Sequence, residues 1–410
     1  MEKRTFGQKL KNMGPAAIIT SAFIGPGTIT TATIAGVNFG YKLLWAVVFS
    51  VVALMVLMEM SSRIGILGNK DMVEASIDLV PGNRAWEIFI KVLLVIAVAS
   101  VSFGFQAGNI IGSSLGLKEI LGTSQLVAAL IVGALSLSTV LFSTAKFLEK
   151  IMLIFVSTMG LIFLFAMIAV GPNIVEVFKG LVTPVIPEGG VVSTIALIGT
   201  TLIAINLVLH SITSKEKWNT KEDLENAKFD IVVNVLIGGV ITVALIVTSA
   251  TVLFNTGTEV TSPLIFSKQL EPVLGVVGAK WVGGLGIFAA GLSSSIATTF
   301  TISTIFSKVF KWENGVESKQ AKIVGTIVVL FGTAFAIMNT RPVQIITTAQ
   351  VMSGFFLPFI SILLVLVCNN KRMLGENTNT LFQNILGVGA SIITLILGTW
   401  GLYNVFISFF

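Results

Sequence analysis

The chain has 410 residues, of which 54% are hydrophobic and only 11% are charged, and its mean hydropathy is +0.95. Because soluble domains carry about 25% charged residues, this composition excludes a soluble globular protein and indicates an integral membrane protein. The net charge is +6, and the single cysteine, Cys368, excludes an internal disulfide.

Eleven apolar segments are each long enough to cross about 30 Å of hydrocarbon as a helix. We therefore predict an all-α integral membrane protein with one transmembrane transporter domain over 1–410. The first segment has no cleavage signature of a signal peptide, so we interpret it as a span. The predicted spans are 15–37, 43–66, 88–115, 125–145, 151–171, 192–213, 229–254, 279–306, 321–339, 343–368 and 382–406.

The first predicted span is interrupted at its middle by Gly25-Pro26-Gly27-Thr28. Glycine and proline leave backbone groups unpaired there, and hydrocarbon tolerates this only where those groups line a cavity. Transporters hold their cargo at such breaks near the middle of the membrane. A kink that only shapes helix packing is the alternative interpretation.

The sixth predicted span carries a polar patch at 199–201 and then Asn206 and His210. Paired breaks at corresponding positions of two halves indicate inverted repeats with a binding site between them. Threonine and asparagine do not force a helix to open, so this second break is the weaker signal. The predicted repeats and the extra helix are 15–171, 192–368 and 382–406.

The basic residues are distributed unequally between the two ends of the predicted spans. Of the 26 lysines and arginines, 20 lie on the side of the N-terminus. This asymmetry follows the positive-inside rule and predicts a cytoplasmic N-terminus and, with eleven spans, an extracellular C-terminus. The net positive charge therefore does not indicate a nucleic-acid partner. The other side holds Lys42, Lys118, Lys179, Lys268, Lys280 and Arg341.

Ionisable residues inside a membrane are costly and point to function by default. Glu59 and His210 are the two inside the predicted spans, and they are our candidates for proton coupling. A structural ion pair of Glu59 with Arg63 and a satisfied core histidine are the alternatives. Arg63 and Asp230 lie at span ends, where we expect them to reach the interface. The sequence contains no nucleophile–base pair, metal-ligand cluster or phosphate loop, so we predict neither enzyme activity nor a cofactor.

Several uncharged polar residues also fall inside spans. Gln106 and Asn109 share a face of the third span, where they either line a water path or join helices. Gln350 lies among apolar residues of the tenth span. The serines at 293–295 in the eighth span are interpreted as a site of close helix packing.

These segments resemble the Nramp transporter family. Gly25-Pro26-Gly27-Thr28 is similar to the Asp-Pro-Gly-Asn motif of its first span. Residues 206–211 are similar to its sixth-span Asn-Leu-Tyr-Leu-His-Ser, and 349–351 to its tenth-span Ser-Gln-Val. The resemblance runs in order from the first span to the tenth. It implies a LeuT-like fold of 11 transmembrane helices, with two inverted five-helix repeats and broken helices 1 and 6.

The chain departs from the family at the residues that hold metal. Gly25, Thr28 and Ile203 stand where metal-carrying members have Asp, Asn and Met, and the family's third-span acids align with Gln106 and Asn109. Without a carboxylate and a sulfur ligand, a dehydrated Mn²⁺ or Fe²⁺ site is not expected. The resemblance is therefore to an Nramp-related branch that lacks the metal motif, such as the one thought to carry bicarbonate.

We hypothesise a secondary active transporter in the plasma membrane that imports a small monoanion, bicarbonate first, with proton coupling. Hydrated Mg²⁺ is the first alternative, and a small organic carboxylate or a neutral solute is the second. A non-transporting sensor or scaffold is disfavoured, because such a protein would not need a polar break inside its helix bundle. We expect a monomer or a weak dimer whose partners are a small inorganic ion and the lipid bilayer. The predicted substrate-binding residues are Gly25, Pro26, Gly27, Thr28, Thr200, Thr201, Ile203, Ala204, Asn206 and Gln350.

Overall fold

A computed structural model of the chain describes residues 14–142, 145–338 and 341–409, and it contains no strand within those ranges. The helices follow the predicted spans in order, and several extend further than predicted. The first and sixth spans each consist of two helices. In order, the spans are Pro15–Phe23 with Pro26–Phe39, Leu44–Leu67, Arg84–Leu121, Gln125–Phe142, Ala145–Ala169, Val191–Thr201 with Ala204–Lys217, Asp223–Leu253, Glu271–Val309, Lys319–Met338, Pro342–Cys368 and Leu381–Phe409.

Shorter helices occupy the connections between spans. Nine helices of the described chain are long and apolar enough to cross a membrane. In this count the two halves of the sixth span form one stretch, Val191–Lys217, whereas the halves of the first span are too short to be included. The short elements are the α-helices Met72–Ile77, Ile174–Val182 and Lys371–Leu374 and the 3₁₀-helices Pro263–Leu270 and Gly315–Glu317.

The sixth span lies at the centre of the bundle. In an apolar 18-residue stretch of this span, 83% of the residues are buried by protein, whereas the share in the fourth span is 28%. A buried span can carry polar groups only if other protein groups or a solute meet them. The interrupted sixth span is therefore enclosed by other helices, while the fourth faces the lipid.

The break in the first span follows from Pro26. A proline disfavours helical geometry in the residue before it, and Gly25 is extended at φ −125° and ψ −172°. Proline suits the first position of a helix because it has no N–H to satisfy there, so the second half-helix begins at Pro26. The predicted break is confirmed, although Gly27 and Thr28 lie in the second half-helix and the non-helical residues are Ile24 and Gly25.

Two charged residues predicted to lie at span ends are buried by other parts of the protein. Arg63 is 4% exposed, because it donates a 2.7 Å hydrogen bond to Glu59 and another to the side chain of Asn379. Gln383 of the eleventh span also donates to Glu59. The predicted ion pair within the second span is thus confirmed, and the hydrogen bond from Gln383 attaches the eleventh span to it. Asp230 is fully buried because it accepts hydrogen bonds from the start of the first span.

The connector between the second and third spans is attached to the end of the sixth. Its helix begins with a capping box formed by Asp71 and Glu74, and the N–H of Met72 donates to Ser211. Lys215 forms a 2.7 Å ion pair with Glu74. Partial burial raises the pKa of Glu74, but the hydrogen bonds from Lys215 and from the backbone of Asp71 outweigh it, so the pKa is lowered from 4.5.

We expect Lys215→Gln to lower the thermal stability slightly, by less than about 1 kcal/mol, because the ion pair is partly exposed. A carboxylate whose pKa is lowered by folding adds stability above its unfolded pKa and loses it on protonation. The difference from the wild type should therefore shrink as the pH falls below 4.5. Melting curves at several pH values test this, with the exposed Lys221→Gln as the control. A difference that persists at low pH would contradict the ion-pair explanation.

Candidate functional site

The first break brings two helix ends of opposite polarity together. The half-helix Pro15–Phe23 ends with its carbonyl groups at Ile24, and Pro26–Phe39 begins with its N–H groups at the same place. The aligned peptide dipoles leave about half a positive charge at a helix start and half a negative charge at a helix end. The carbonyl of Gly25 accepts the first helical hydrogen bond, from Ile29 at 3.1 Å.

The sixth break lies between Thr201 and Ala204. Leu202 and Ile203 are non-helical there, although neither residue is a glycine or a proline. The backbone N–H of Asn206 bonds to the carbonyl of Ile203, but its side-chain Nδ2 is buried without a partner in the described chain. The predicted residues Ile203 and Ala204 lie buried at this break. The hydroxyl of Thr201 is likewise buried and without a partner among these residues.

The two breaks meet through a pair of threonines. The hydroxyls of Thr28 and Thr200 are 2.7 Å apart and hydrogen-bonded. Both side chains are buried, so the bond is shielded from solvent. It joins the first and sixth spans at the level of their non-helical residues, which places the two predicted halves of the site against each other.

Gln350 of the tenth span packs against both breaks. A Cβ atom added to Gly27 would lie 2.9 Å from the Cδ of Gln350, and one added to Gly199 would lie 3.0 Å from its backbone carbonyl carbon. Side chains at either position would therefore displace Gln350. Its Oε1 atom is buried and accepts no hydrogen bond within the described residues. The predicted residues Gly27, Thr28, Thr200 and Gln350 thus form one cluster.

Ser294 is a member of this site that the sequence did not identify. A Cβ atom added to Gly25 would lie 2.9 Å from the Cβ of Ser294 and 3.4 Å from Oδ1 of Asn109. Ser294 therefore fills the volume into which a side chain at position 25 would project. Its sequence signal was only a run of serines, which also occurs where helices pack closely. We refer to Gly25, Asn109 and Ser294 as the Gly25 corner.

Two predicted residues lie apart from the breaks. His210 is fully buried and its Nε2 is 2.8 Å from the hydroxyl of Ser62 on the second span. Its Nδ1 is buried with no partner among the residues described. Glu59 lies in the ion pair with Arg63. Neither side chain is joined to the cluster of Thr28, Thr200 and Gln350 by a hydrogen bond found in the described chain.

Among the residues that the structure describes, the site presents dipoles but no charged side chain at either break. Within the described residues, no three His, Cys, Asp or Glu side chains are grouped to hold a metal ion. Helix-start N–H groups, hydroxyls and side-chain amides are the donors, and amide carbonyls are the acceptors. Such a site can bind a small anion at the helix starts, or a hydrated cation through oxygen atoms.

Comparison with known proteins identifies relatives over nearly the whole chain. A family model described as Nramp, natural resistance-associated macrophage protein-like, matches residues 16–404. A protein named divalent metal cation transporter MntH, from Klebsiella pneumoniae subsp. pneumoniae, is 27% identical over 402 residues, covering 96% of this chain and 93% of its own.

Solved structures give the same fold. A manganese transporter of Eremococcus coleocola, crystallised with an aromatic bis-isothiourea compound, superposes with a TM-score of 0.82 at 19% identity, covering 99% of this chain and 89% of its own. MhsT in complex with L-phenylalanine superposes at 0.66 and 18% identity, covering 97% and 98% of the two chains. The fold is thus the predicted LeuT-like arrangement, with broken first and sixth helices.

Proposed function

Since this chain belongs to the Nramp family, whose members are membrane transporters and not enzymes, we propose that it carries a small monoanion, bicarbonate first, through the site at its two helix breaks. The observation that supports this is the cluster of Thr28, Thr200 and Gln350, which holds the helix start at Pro26 against the sixth break and contains no acid. The proposed binding residues are the ten predicted from the sequence, with Ser294 and Asn109 added.

The absence of a carboxylate at position 25 supports an anion as the preferred ion. A single negative charge 4 Å away is worth about 4 kcal/mol per unit charge of the ion at an effective dielectric of about 20. A site without that charge forfeits this attraction for a cation and removes the equivalent repulsion for an anion. The helix starts at Pro26 and Ala204 then favour a negative guest.

Import of an anion into a negative interior requires a driving ion, since it costs about 2.3 kcal/mol per 100 mV. His210 is our candidate for a coupled proton, because it is buried in the sixth span and one ring nitrogen lacks a partner in the described structure. Glu59 is held by Arg63 and Gln383, which favours a structural role for it.

The proposed setting is the plasma membrane, with the N-terminus in the cytoplasm and the C-terminus outside. The distribution of lysine and arginine supports this orientation. We infer that the chain works as one domain in which the two repeats alternate access to the site between them.

A hydrated divalent cation is the second candidate. It is favoured by the relatives that are named divalent metal cation transporters. Mg²⁺ keeps several of its waters when bound, so the unpartnered Oε1 of Gln350 and the carbonyl end of Pro15–Phe23 could receive hydrogen bonds from those waters.

The expected result in proteoliposomes is uptake of bicarbonate at constant CO₂, recorded as a change of internal pH with an enclosed dye. Uptake of the anion alone raises the pH, and uptake together with two or more protons lowers it. Thr28→Val should slow this uptake about tenfold, because it removes a hydroxyl that joins the two breaks. Thr33→Val is the matched control, since the Thr33 hydroxyl bonds only to its own helix at Ile29. Mn²⁺ or Mg²⁺ uptake with no bicarbonate response would reject the anion proposal and favour the second candidate.

A further inference from the structure

The side-chain amide of Asn109 has a hydrogen-bonded nitrogen and an oxygen that faces the first break. Its Nδ2 donates a 3.2 Å hydrogen bond to the hydroxyl of Thr298 on the eighth span. Its Oδ1 lies 3.4 Å from where a Cβ of Gly25 would be. No hydrogen bond to this oxygen is found among the described residues. Asn109 therefore presents a carbonyl acceptor to the first break, beside the side chain of Ser294.

The backbone around Asn109 is held in place by close helix contacts. A Cβ atom on Gly291 would lie 2.5 Å from the carbonyl oxygen of Asn109, and one on Gly112 would lie 2.5 Å from Cγ of Pro26. The third span thus touches both the eighth span and the start of the second half-helix directly. Since Asn109 is 2% exposed, its backbone is both buried and fixed relative to the break, and the hydrogen bond to Thr298 orients its side chain.

We infer that Asn109 selects among monoanions by accepting a hydrogen bond from an O–H group of the substrate. This inference rests on the proposed anion transport. Hydrogencarbonate carries one negative charge and one O–H, so its charged oxygens can face the helix start at Pro26 while its O–H meets the Asn109 carbonyl. Nitrate, formate and chloride have the same charge and no O–H donor.

An anion without a donor meets the Asn109 carbonyl unfavourably for two reasons. The partial negative charge of the carbonyl repels it, and a buried acceptor is left without a hydrogen bond. Sites that hydrogen-bond a substrate hydroxyl reject analogues lacking it far more strongly than apolar pockets reject a missing methylene. Thr298 is a positioning residue here, because it occupies the amide nitrogen and so turns the oxygen toward the break.

The test measures binding of four sodium salts to the purified full chain by the ligand-dependent shift of its melting temperature at fixed ionic strength. Hydrogencarbonate should bind at least about tenfold more tightly than nitrate, formate or chloride. In Asn109→Leu the ratio of the affinity for hydrogencarbonate to that for each other anion should fall to about one. Thr298→Val should also reduce it, because the amide loses its anchor.

Thr301→Val is the matched control, since its hydroxyl is buried on the same helix and bonds only to the carbonyl of Ala297. It should keep the wild-type preference. A wild-type protein that binds nitrate as tightly as hydrogencarbonate would overturn the selection by Asn109, and so would an unchanged preference in both Asn109→Leu and Thr298→Val. Failure to bind any of the four anions, together with uptake of Mn²⁺ or Mg²⁺, would instead overturn the proposed function.

Discussion

The double variant Gly25→Asp with Ser294→Gly is expected to bind Mn²⁺ and to lose anion transport. Gly25→Asp alone is expected to lose anion transport without gaining Mn²⁺ binding. The single variant has no room for its new side chain, because the Cβ at position 25 would lie 2.9 Å from the Cβ of Ser294. Removing the Ser294 side chain opens that volume. The carboxylate then contributes about 4 kcal/mol per unit charge of the ion at 4 Å.

Mn²⁺ binding by calorimetry and bicarbonate uptake in proteoliposomes measure the two effects. Gly25→Asp with Ser293→Gly is the matched control, since Ser293 is a neighbouring buried serine of the same helix. We expect bicarbonate uptake to fall more than about tenfold in all three variants. Tight Mn²⁺ binding by the single variant would show that Ser294 does not limit position 25. Unaltered bicarbonate uptake in Gly25→Asp with Ser294→Gly would contradict an anion site at the first break.

The first break could be predicted from the sequence because its cause is local. Pro26 forces the residue before it out of the helix, and Gly25 has no side chain to oppose an extended conformation. The second break has no such local cause, since its non-helical residues Leu202 and Ile203 are neither glycine nor proline. It occurs where Gly199 meets the backbone of Gln350 and Thr200 meets Thr28. Contacts of that kind between distant segments are not visible in a single sequence.

Ser294 and Asp230 show why composition misplaces buried polar residues. A serine in a span satisfies its hydroxyl within its own helix or packs closely, so nothing in the run 293–295 distinguished Ser294. Asp230 lies seven residues into its helix, which is near enough to the end to reach the interface. Its burial depends on another span beginning beside it. For Ser294, the one available signal in the sequence was the absence of a side chain at Gly25, because a neighbouring residue must fill the volume that glycine leaves.

Asp230→Ala is expected to destabilise the protein by about 3 kcal/mol and to loosen the first half-helix of the first span, Pro15–Phe23. The Asp230 carboxylate accepts hydrogen bonds from the backbone N–H groups of Gly14 at 3.2 Å and Ala16 at 3.0 Å. Hydrogen bonds to a charged group contribute about 1.5–3 kcal/mol each, and a negative charge at a helix start is further favoured by the dipole. This cap holds a helix of only nine residues, Pro15–Phe23, whose other end forms the first break.

Loosening of this half-helix can be measured by maleimide labelling of a cysteine introduced at Thr20. Thr20 is 1% exposed and its hydroxyl has no partner in the described structure, so labelling should be slow in the wild-type background. The single native cysteine, Cys368, is buried and adds little background. In Asp230→Ala the labelling rate should rise about tenfold or more, since each 1.4 kcal/mol of lost stabilisation is worth a factor of ten in the open population.

Two further variants separate the cap from general damage to the seventh span. Asp230→Asn keeps an acceptor without the charge, so its loss of stability should lie between those of the wild type and Asp230→Ala. Asn234→Leu removes the 2.8 Å hydrogen bond that Asn234 donates to Asp230 but leaves the bonds to Gly14 and Ala16. It should lower the melting temperature while leaving the labelling rate near the wild-type value. Equal labelling rates in Asn234→Leu and Asp230→Ala would mean that packing of the seventh span, and not the carboxylate, holds the half-helix Pro15–Phe23 in place.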